Sequence, residues 1–408
     1  MKVAVVGGGL AGLAAGLDLV DAGHAVTVLE ARPTLGGAVQ TLPAREGDPE
    51  PPPDNGQHIA LGCFTEYLRF LDRIGEGGSF IRTRLGLPVV DEDGRFATIA
   101  PSPATLLRYS HLPHRDRLRI PLVTARCRNA SAEAGETFGS LLRRLGASDA
   151  AIERFWDVFV RPALNLPADE VDAEAGLFTV RTALLGPRRN SDLILPTKPL
   201  GWMHGDAAGR ALGDRVQLER RVETLDELDA DAIVLAVPPR ESARLLGEPE
   251  PSLEDSPIVS VHLWFDRPIL DVPLAALLGT DAHWVFDRGR LLGHAPRAVG
   301  QYLTVVSSGV PELLEVRGRQ LVERIAAQLT SRLGDAELLW SRVSREPYAT
   351  VALRPGVERP GVETSRPNVA RAGTWTDTGW PATMESAIRS GRAAAQHILS
   401  GISARVTA

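Results

Sequence analysis

At 408 residues the chain exceeds what one hydrophobic core normally holds, so two domains are expected. Hydrophobic residues make up 44% and charged residues 24%, with a net charge of -6, the balance of an ordinary globular protein rather than a nucleic-acid binder. Its basic residues are almost all arginine, with lysine only at Lys2 and Lys198, which reads as coding bias and not as a binding surface. Cys63 and Cys127 are too few for a disulfide framework and lack metal-ligand spacing, so no metal is expected and a reducing cytoplasm is. No signal peptide is expected ahead of the first strand, and no apolar run approaches the roughly eighteen residues of a membrane span.

Val3 to Val6 is an apolar run that reads as a buried parallel strand. It breaks into Gly7-Gly8-Gly9 before a helical pattern that starts near Leu10 and stops at about Ala22, ahead of Gly23. Gly7, Gly9 and Gly12 fit G-x-G-x-x-G. The first permits the tight turn, the second lets backbone approach a pyrophosphate, and the third lets the helix lie close on the strand. Leu10 and Ala11 open that helix, whose unpaired N–H groups and dipole favour phosphate. A second strand, Ala25 to Leu29, ends in Glu30, eighteen residues after Gly12 and placed to accept hydrogen bonds from a ribose diol. A second glycine turn follows at once, Ala31-Arg32-Pro33-Thr34-Leu35-Gly36-Gly37-Ala38. It favours FAD over a nicotinamide cofactor, because a tightly held flavin is gripped from adenine to ring. Residues 48–53, DPEPPP, read as a surface loop, and Thr65 to Ile74 as a helix.

The stretches VVGGGLAGLAAGLDLVDAGHAVTVLEARPTLGG and DNGQHIALGC resemble the flavin-dependent amine oxidase and carotenoid desaturase superfamily. With FWDVFVRPALNLPADEVDA at 155–173, SDLILPTKP at 191–199, VSVHLWFDRP at 259–268 and GTWTDTGWPATMESAIRSG at 373–391, they resemble its squalene-associated branch, the hydroxysqualene dehydroxylases of bacterial squalene and hopanoid synthesis. The resemblance implies an α/β fold: a Rossmann-like FAD-binding domain of residues 1–85, 205–255 and 356–404, with an inserted α+β substrate domain of residues 86–204 and 256–355. It implies reductive dehydroxylation of a hydrophobic isoprenoid, with squalene-synthase-like enzymes acting upstream. It also implies that Val222 meets the adenine region through its backbone, and that the backbone of Ala382, Thr383 and Met384 meets the flavin pyrimidine edge. Gly373 is followed by Thr374 where family members carry an aspartate that accepts a ribitol hydroxyl.

Residues 85–197 read as mostly helix and loop. Arg108 to Arg128 carries six arginines, two histidines and one acid among Leu112, Leu118, Ile120, Leu122 and Val123. Its plain reading is a solvated helical face beside a core stripe, and its sharper one a membrane-surface segment that takes a lipid from the bilayer. Phe155, Trp156 and Phe159 read as core. Residues 216–225, VQLERRVETL, alternate as a strand, and Asp231 to Val237 reads as a buried one. Ile258 to Phe265, His283 to Phe286 and Tyr302 to Val306 read as the substrate domain's sheet, followed by a helix from Pro311 to Leu333. Pro381 suits the first turn of the last helix. Trp264, Phe265, Trp284, Phe286 and Tyr348 offer aromatic faces to an allylic cation, with Trp264, Trp284, Phe286 and Tyr348 expected to bind substrate. His58 is the expected acid, beside Gln57, with Asp192 and Glu66 as outside candidates. A polyene desaturase, an amine oxidase and a prenyl-lipid carrier of the guanine-nucleotide dissociation inhibitor kind remain alternatives.

Overall fold

The computed structural model describes residues 1–293 and 300–406. Five short strands form a wholly parallel sheet in the order Val369–Arg371, Ala232–Leu235, Lys2–Val6, Ala25–Leu29, Val216–Gln217. Because all five run the same way, their carboxyl ends share one edge, and Gly7, Glu30, Ala236 and Ala372 all emerge there. Val5, Val28 and Val234 are fully buried, as the continuous apolar runs of a two-sided parallel sheet require. The helix Leu10–Asp21 and the long carboxyl-terminal helix Met384–Val406 pack on this sheet. Gly23, at φ +83°, supplies the expected stop after the first helix.

The second sheet has seven strands in the order Leu338–Val351, Asp255–Phe265, Gln301–Ser308, Trp284–Asp287, Leu274–Leu277, Leu87–Val90, Phe96–Ile99. Its outer face, with Val259, Val261, Leu263, Val285 and Leu303, is covered by the helix Gly318–Leu333. The inner face, with Trp284, Phe286, Val306 and Leu274, meets the helical segment of residues 103–185, including the fully buried Phe138 and Trp156.

Several expectations are corrected. Residues 85–197 are not all helix and loop: Leu87–Val90 and Phe96–Ile99 complete the large sheet, and Leu193–Pro196 forms a three-stranded sheet with Ala60–Leu61 and Phe80–Thr83. Ile194, Leu200 and Met203 join the core of the parallel sheet, while Leu193 and Leu195 face the core under the large sheet. The alternating run after Val216 pairs only at Val216–Gln217. Glu219 then takes φ +55° and the chain bends over the second strand's end, with Glu219 N–H donating to Arg32 O at 3.1 Å and Arg220 N–H to Glu30 O at 2.9 Å. The helix expected from Pro311 to Leu333 breaks into Pro311–Leu314 and Gly318–Leu333, because Arg317 is extended. Pro381 precedes the last helix, which starts at Met384 with the Thr383 hydroxyl accepting from Ser386 N–H at 3.4 Å.

Glu385 ties the carboxyl-terminal helix to the amino-terminal domain. It is fully buried and accepts from the backbone N–H of Glu66 (3.2 Å) and Tyr67 (2.8 Å), at the start of the helix Thr65–Arg73, and from Arg389 Nε (2.8 Å). Its negative charge faces the positive end of that helix. Deleting the carboxylate strands two backbone donors and a guanidinium, a loss of about 1–3 kcal/mol for each unsatisfied buried group. Glu385→Ala is therefore expected to lower the apparent melting temperature by several degrees in a thermal scan, and Glu385→Gln, which keeps an acceptor, by less.

Candidate active site

At the carboxyl edge of the parallel sheet, backbone packs directly on backbone. Gly7 sits at φ +106°, where a Cβ would stand 2.2 Å from Ala236 O, and a Cβ on Gly12 would stand 1.9 Å from Gly7 O. The second glycine turn lies on the first: Gly36 N–H donates to Gly8 O at 2.8 Å, and a Cβ on Gly37 would come within 2.8 Å of Gly9 Cα. Gly9 opens the first helix without a side chain to cap it. The Leu10, Ala11 and Gly12 N–H groups thus lie in the helix's first turn with no intrahelical acceptor. Glu30 is buried and accepts from Gly8 N–H at 2.7 Å and Arg32 N–H at 2.8 Å. Two bonds leave lone pairs on its carboxylate for a diol. The Arg32 side chain is exposed, and Ala38 accepts from Asn55 Nδ2 at 2.9 Å. Val222 packs with Val6, Leu29 and Leu235 at the same edge, its carbonyl accepting from Arg244 Nη2 at 3.1 Å.

The carboxyl-terminal segment closes on this loop. A Cβ on Gly391 would stand 2.0 Å from Ala11 O, which fixes the last helix against the first. Gly373 leaves the strand Val369–Arg371 with its N–H on Ser390 Oγ at 2.9 Å. Thr374 is half-buried, with no bond to its hydroxyl among the described residues. Ala382 is buried, and Thr383 and Met384, partly exposed, begin the helix. Glycine turns, an uncapped helix start, a ribose acceptor and a second helix start beside them match the charge and shape of a dinucleotide such as FAD.

From Ala38 the contacts lead inward. Asn55 N–H donates to Gln40 O at 2.9 Å, and a Cβ on the next residue, Gly56, would stand 2.9 Å from Ser260 Oγ on the inner face of the large sheet. Beside it lies a buried ion pair, Asp54 with Arg288, at 2% and 3% exposure. Asp54 also accepts from Thr41 Oγ1 (2.7 Å) and Leu200 N–H (2.8 Å). His262 Nδ1 lies 3.0 Å from Thr304 Oγ1 and 3.5 Å from Tyr302 Oη. Asp54, Ser260, His262 and Arg288 were not legible as a site from the sequence. The signal was a polar residue inside an apolar strand run at Ser260 and His262, whereas Asp54 lies in a loop and Arg288 just beyond a strand end.

The structure places His58 and Tyr348 in surroundings the sequence did not show. Loss of solvent around its ring, and then the Arg288 guanidinium, push His58 down to about 4, below the usual imidazole range. Gln57 is buried, its Nε2 donating to His58 O at 3.2 Å and its Oε1 unpartnered. Tyr348 is 79% exposed, in a register irregularity of the edge strand where Ser256 pairs with Thr350 but Ile258 with Glu346. The bulge turns it outward, away from the inner face of the sheet. Trp284 and Phe286 are buried and stacked at 6.2 Å, and Trp264 stacks on Tyr302 at 5.7 Å, all facing inward. Asp192 pairs with Arg82, and Glu66 with Arg69 and Arg392, as surface ion pairs. A cavity of about 580 Å³ between the Arg45–Asp48 loop and the edge of the large sheet contains none of the expected site residues.

The family model for flavin containing amine oxidoreductases matches residues 10–399. The chain belongs to that family. Its cofactor is FAD, and it is an oxidoreductase. It is 29% identical over 443 residues to a hydroxysqualene dehydroxylase of Sinorhizobium fredii, covering 98% of each chain. It is 30% identical over 434 residues to a hydroxysqualene dehydroxylase of Rhodopseudomonas palustris, covering 97% of this chain and 98% of that one. A solved oxidoreductase from Methanosarcina mazei has the same fold, with a TM-score of 0.73 at 18% identity over 96% of this chain and 99% of the other.

Thr374 offers a neutral hydroxyl where a charged acceptor would bind a ribitol hydroxyl roughly twice as strongly. Thr374→Asp is expected to raise the ratio of flavin to protein absorbance after purification, and an unchanged ratio would show the threonine to be sufficient.

Proposed function

We propose that the protein removes the allylic hydroxyl of hydroxysqualene reductively, giving squalene. The observation that supports this best is the near full-length likeness to two hydroxysqualene dehydroxylases. The inner face of the large sheet agrees with it: apolar and aromatic at Trp284, Phe286, Val306 and Leu274, as a hydrocarbon requires, and polar at Ser260, His262 and Thr304, as a single hydroxyl requires. In this reading Gly7, Gly9, Gly12, Leu10 and Ala11 hold the pyrophosphate, and Glu30 the adenosine ribose. Gly36, Gly37 and Ala38 run along the cofactor, Val222 meets its adenine, and Gly373, Thr374 and the start of the last helix reach its flavin end.

Bound and reduced, the cofactor supplies a hydride. The chain's own part is to exclude water, to steady a delocalised allylic cation and to receive the departing oxygen. Trp264, Trp284 and Phe286 supply aromatic faces, each worth roughly 0.5–2 kcal/mol to a nearby cation. The overall change balances as R–OH plus reduced FAD giving R–H, oxidised FAD and water. Anaerobic incubation of the flavin-reduced protein with hydroxysqualene is expected to yield squalene in lipid extracts, together with oxidised flavin. Recovery of unchanged substrate, or of a product with an added double bond, would refute the reading.

The same reading places the protein at a bilayer surface, downstream of enzymes of the squalene-synthase type that supply the hydroxylated lipid. No helix among the described residues is long and apolar enough to cross a membrane. The helix His114–Cys127 instead has two apolar stripes. Ile120, Val123 and Cys127 face the core, while Leu118 and Leu122, 66% and 50% exposed, face solvent between Arg115, Arg119 and Arg126. Leu107, 51% exposed on the helix Pro103–Arg108, is held alongside by Arg117, which donates to Leu107 O, Leu112 O and Ser110 O. Exposed leucines ringed by arginines suit an anionic lipid surface. In co-sedimentation with phosphatidylglycerol vesicles the protein is expected to pellet, and Leu118→Asp/Leu122→Asp to stay in the supernatant; equal behaviour of the two would remove the membrane contact.

A further inference from the structure

The buried cluster between the Asp54–His58 segment and the inner face of the large sheet carries an inference that rests on the proposed dehydroxylation and deepens it. Arg288 follows directly on the strand Trp284–Asp287 and is 3% exposed. One arm of its guanidinium, Nη2, donates to Asp54 and, at 3.4 Å, to Lys198 O. The other arm, Nη1, is buried with no partner among the described residues. Ser260 Oγ, His262 Nε2 and His58 Nδ1 are likewise buried and without a partner among the described residues. A single orphan of this kind is costly, and a charged one more so. A free guanidinium arm with three such atoms beside it describes a site for a ligand oxygen.

The chemistry of that ligand follows from the charges. Asp54 balances Arg288, and both histidines are neutral at neutral pH, His262 being pushed down to about 3 by burial and then by Arg288 and Arg342. The cluster is therefore close to neutral overall, with one guanidinium arm left free among the described residues. It suits a neutral group that becomes negative during reaction, and it disfavours an ammonium, which weighs against amine oxidation at this site. Arginine does not lose its proton at working pH, so it stabilises charge without acting as an acid.

We propose that this pocket is the leaving-group site, with the substrate hydroxyl held on Arg288 Nη1 and completed by Ser260 and His262. The C–O bond breaks with its electron pair on oxygen, and the guanidinium stabilises the charge that develops there. Carbon gains a hydride and oxygen a proton, together the two hydrogens that the reduced cofactor gives up, and water leaves. Asp54 is a positioning residue: tied to Thr41 and the Leu200 backbone, it fixes the angle of the guanidinium.

The test uses the FAD-loaded protein and its Arg288→Met, Arg288→Lys and Asp54→Asn/Arg288→Met variants. The last removes both charges, so that no lone buried carboxylate compromises folding. Each is reduced anaerobically and reoxidised either by hydroxysqualene or by a soluble dye acceptor, and each in its oxidised form is titrated with hydroxysqualene and with squalene by flavin absorbance. The expected result for both methionine variants is normal reoxidation by the dye, a 10²- to 10³-fold slower reoxidation by hydroxysqualene, and loss of the preference for the hydroxylated lipid over squalene, with partial recovery in Arg288→Lys. Hydroxysqualene turnover within threefold of wild type in a variant that holds FAD, or an undiminished preference for the hydroxylated lipid, would overturn the proposal. Failure of the wild type to act on hydroxysqualene would instead refute the reading on which it rests.

Discussion

The structure depends on the close approach of three backbone segments at the carboxyl edge of the parallel sheet. Gly7 and Gly12 meet each other and Ala236, Gly37 meets Gly9, and Gly391 meets Ala11, each at a distance that leaves no space for a Cβ. These contacts bring the first 40 residues, the strand Ala232–Leu235 and the last helix to one place. They also leave the start of the first helix uncapped, so that the backbone donors a folded chain would otherwise satisfy point at a ligand. Close packing and anion binding therefore come from the same missing side chains.

What lies beyond that edge is organised by a second constraint, the burial of charge. Asp54 belongs to the cofactor-domain segment and Arg288 to the sheet of the other domain, yet they are paired at 2% and 3% exposure. Such a pair contributes little net stability, because the desolvation of both groups offsets their attraction. Its effect is geometric: it fixes the polar part of the inner face relative to the segment that continues into the glycine turns. Glu385 makes a corresponding join between two segments beside the parallel sheet, capping the helix Thr65–Arg73 from the last helix. Charges with defined bonding directions thus fix these distant segments relative to one another.

The amino-terminal unit was legible in the sequence because every requirement there is local. A strand, a glycine at each backbone approach, a helix start and an acid occur within 30 residues, each with its own signature. The inner face was not, since Asp54, Ser260, His262 and Arg288 are up to 234 positions apart and no local pattern links them. His58 was read as an acid because histidine can donate a proton near neutral pH, and what the sequence did not show is the loss of solvent and the neighbouring Arg288 that push it down to about 4. Tyr348 was read as a substrate contact because it offers an aromatic face, but the bulge that turns it outward depends on pairing partners almost 100 residues away. The alternation after Val216 failed for a similar reason: bonds to Glu30 and Arg32 bend the chain before a ladder can extend.

In the proposed reaction a dinucleotide crevice and a hydroxyl site meet at one reacting carbon. A single turnover of the reduced protein with unlabelled hydroxysqualene in deuterium oxide tests that junction most directly, because the transferable hydrogen of reduced flavin exchanges with solvent. Squalene carrying one deuterium at the carbon that bore the hydroxyl is the expected product. Squalene without deuterium at that carbon, or deuterium spread over several positions, would contradict direct transfer from a cofactor held in this crevice.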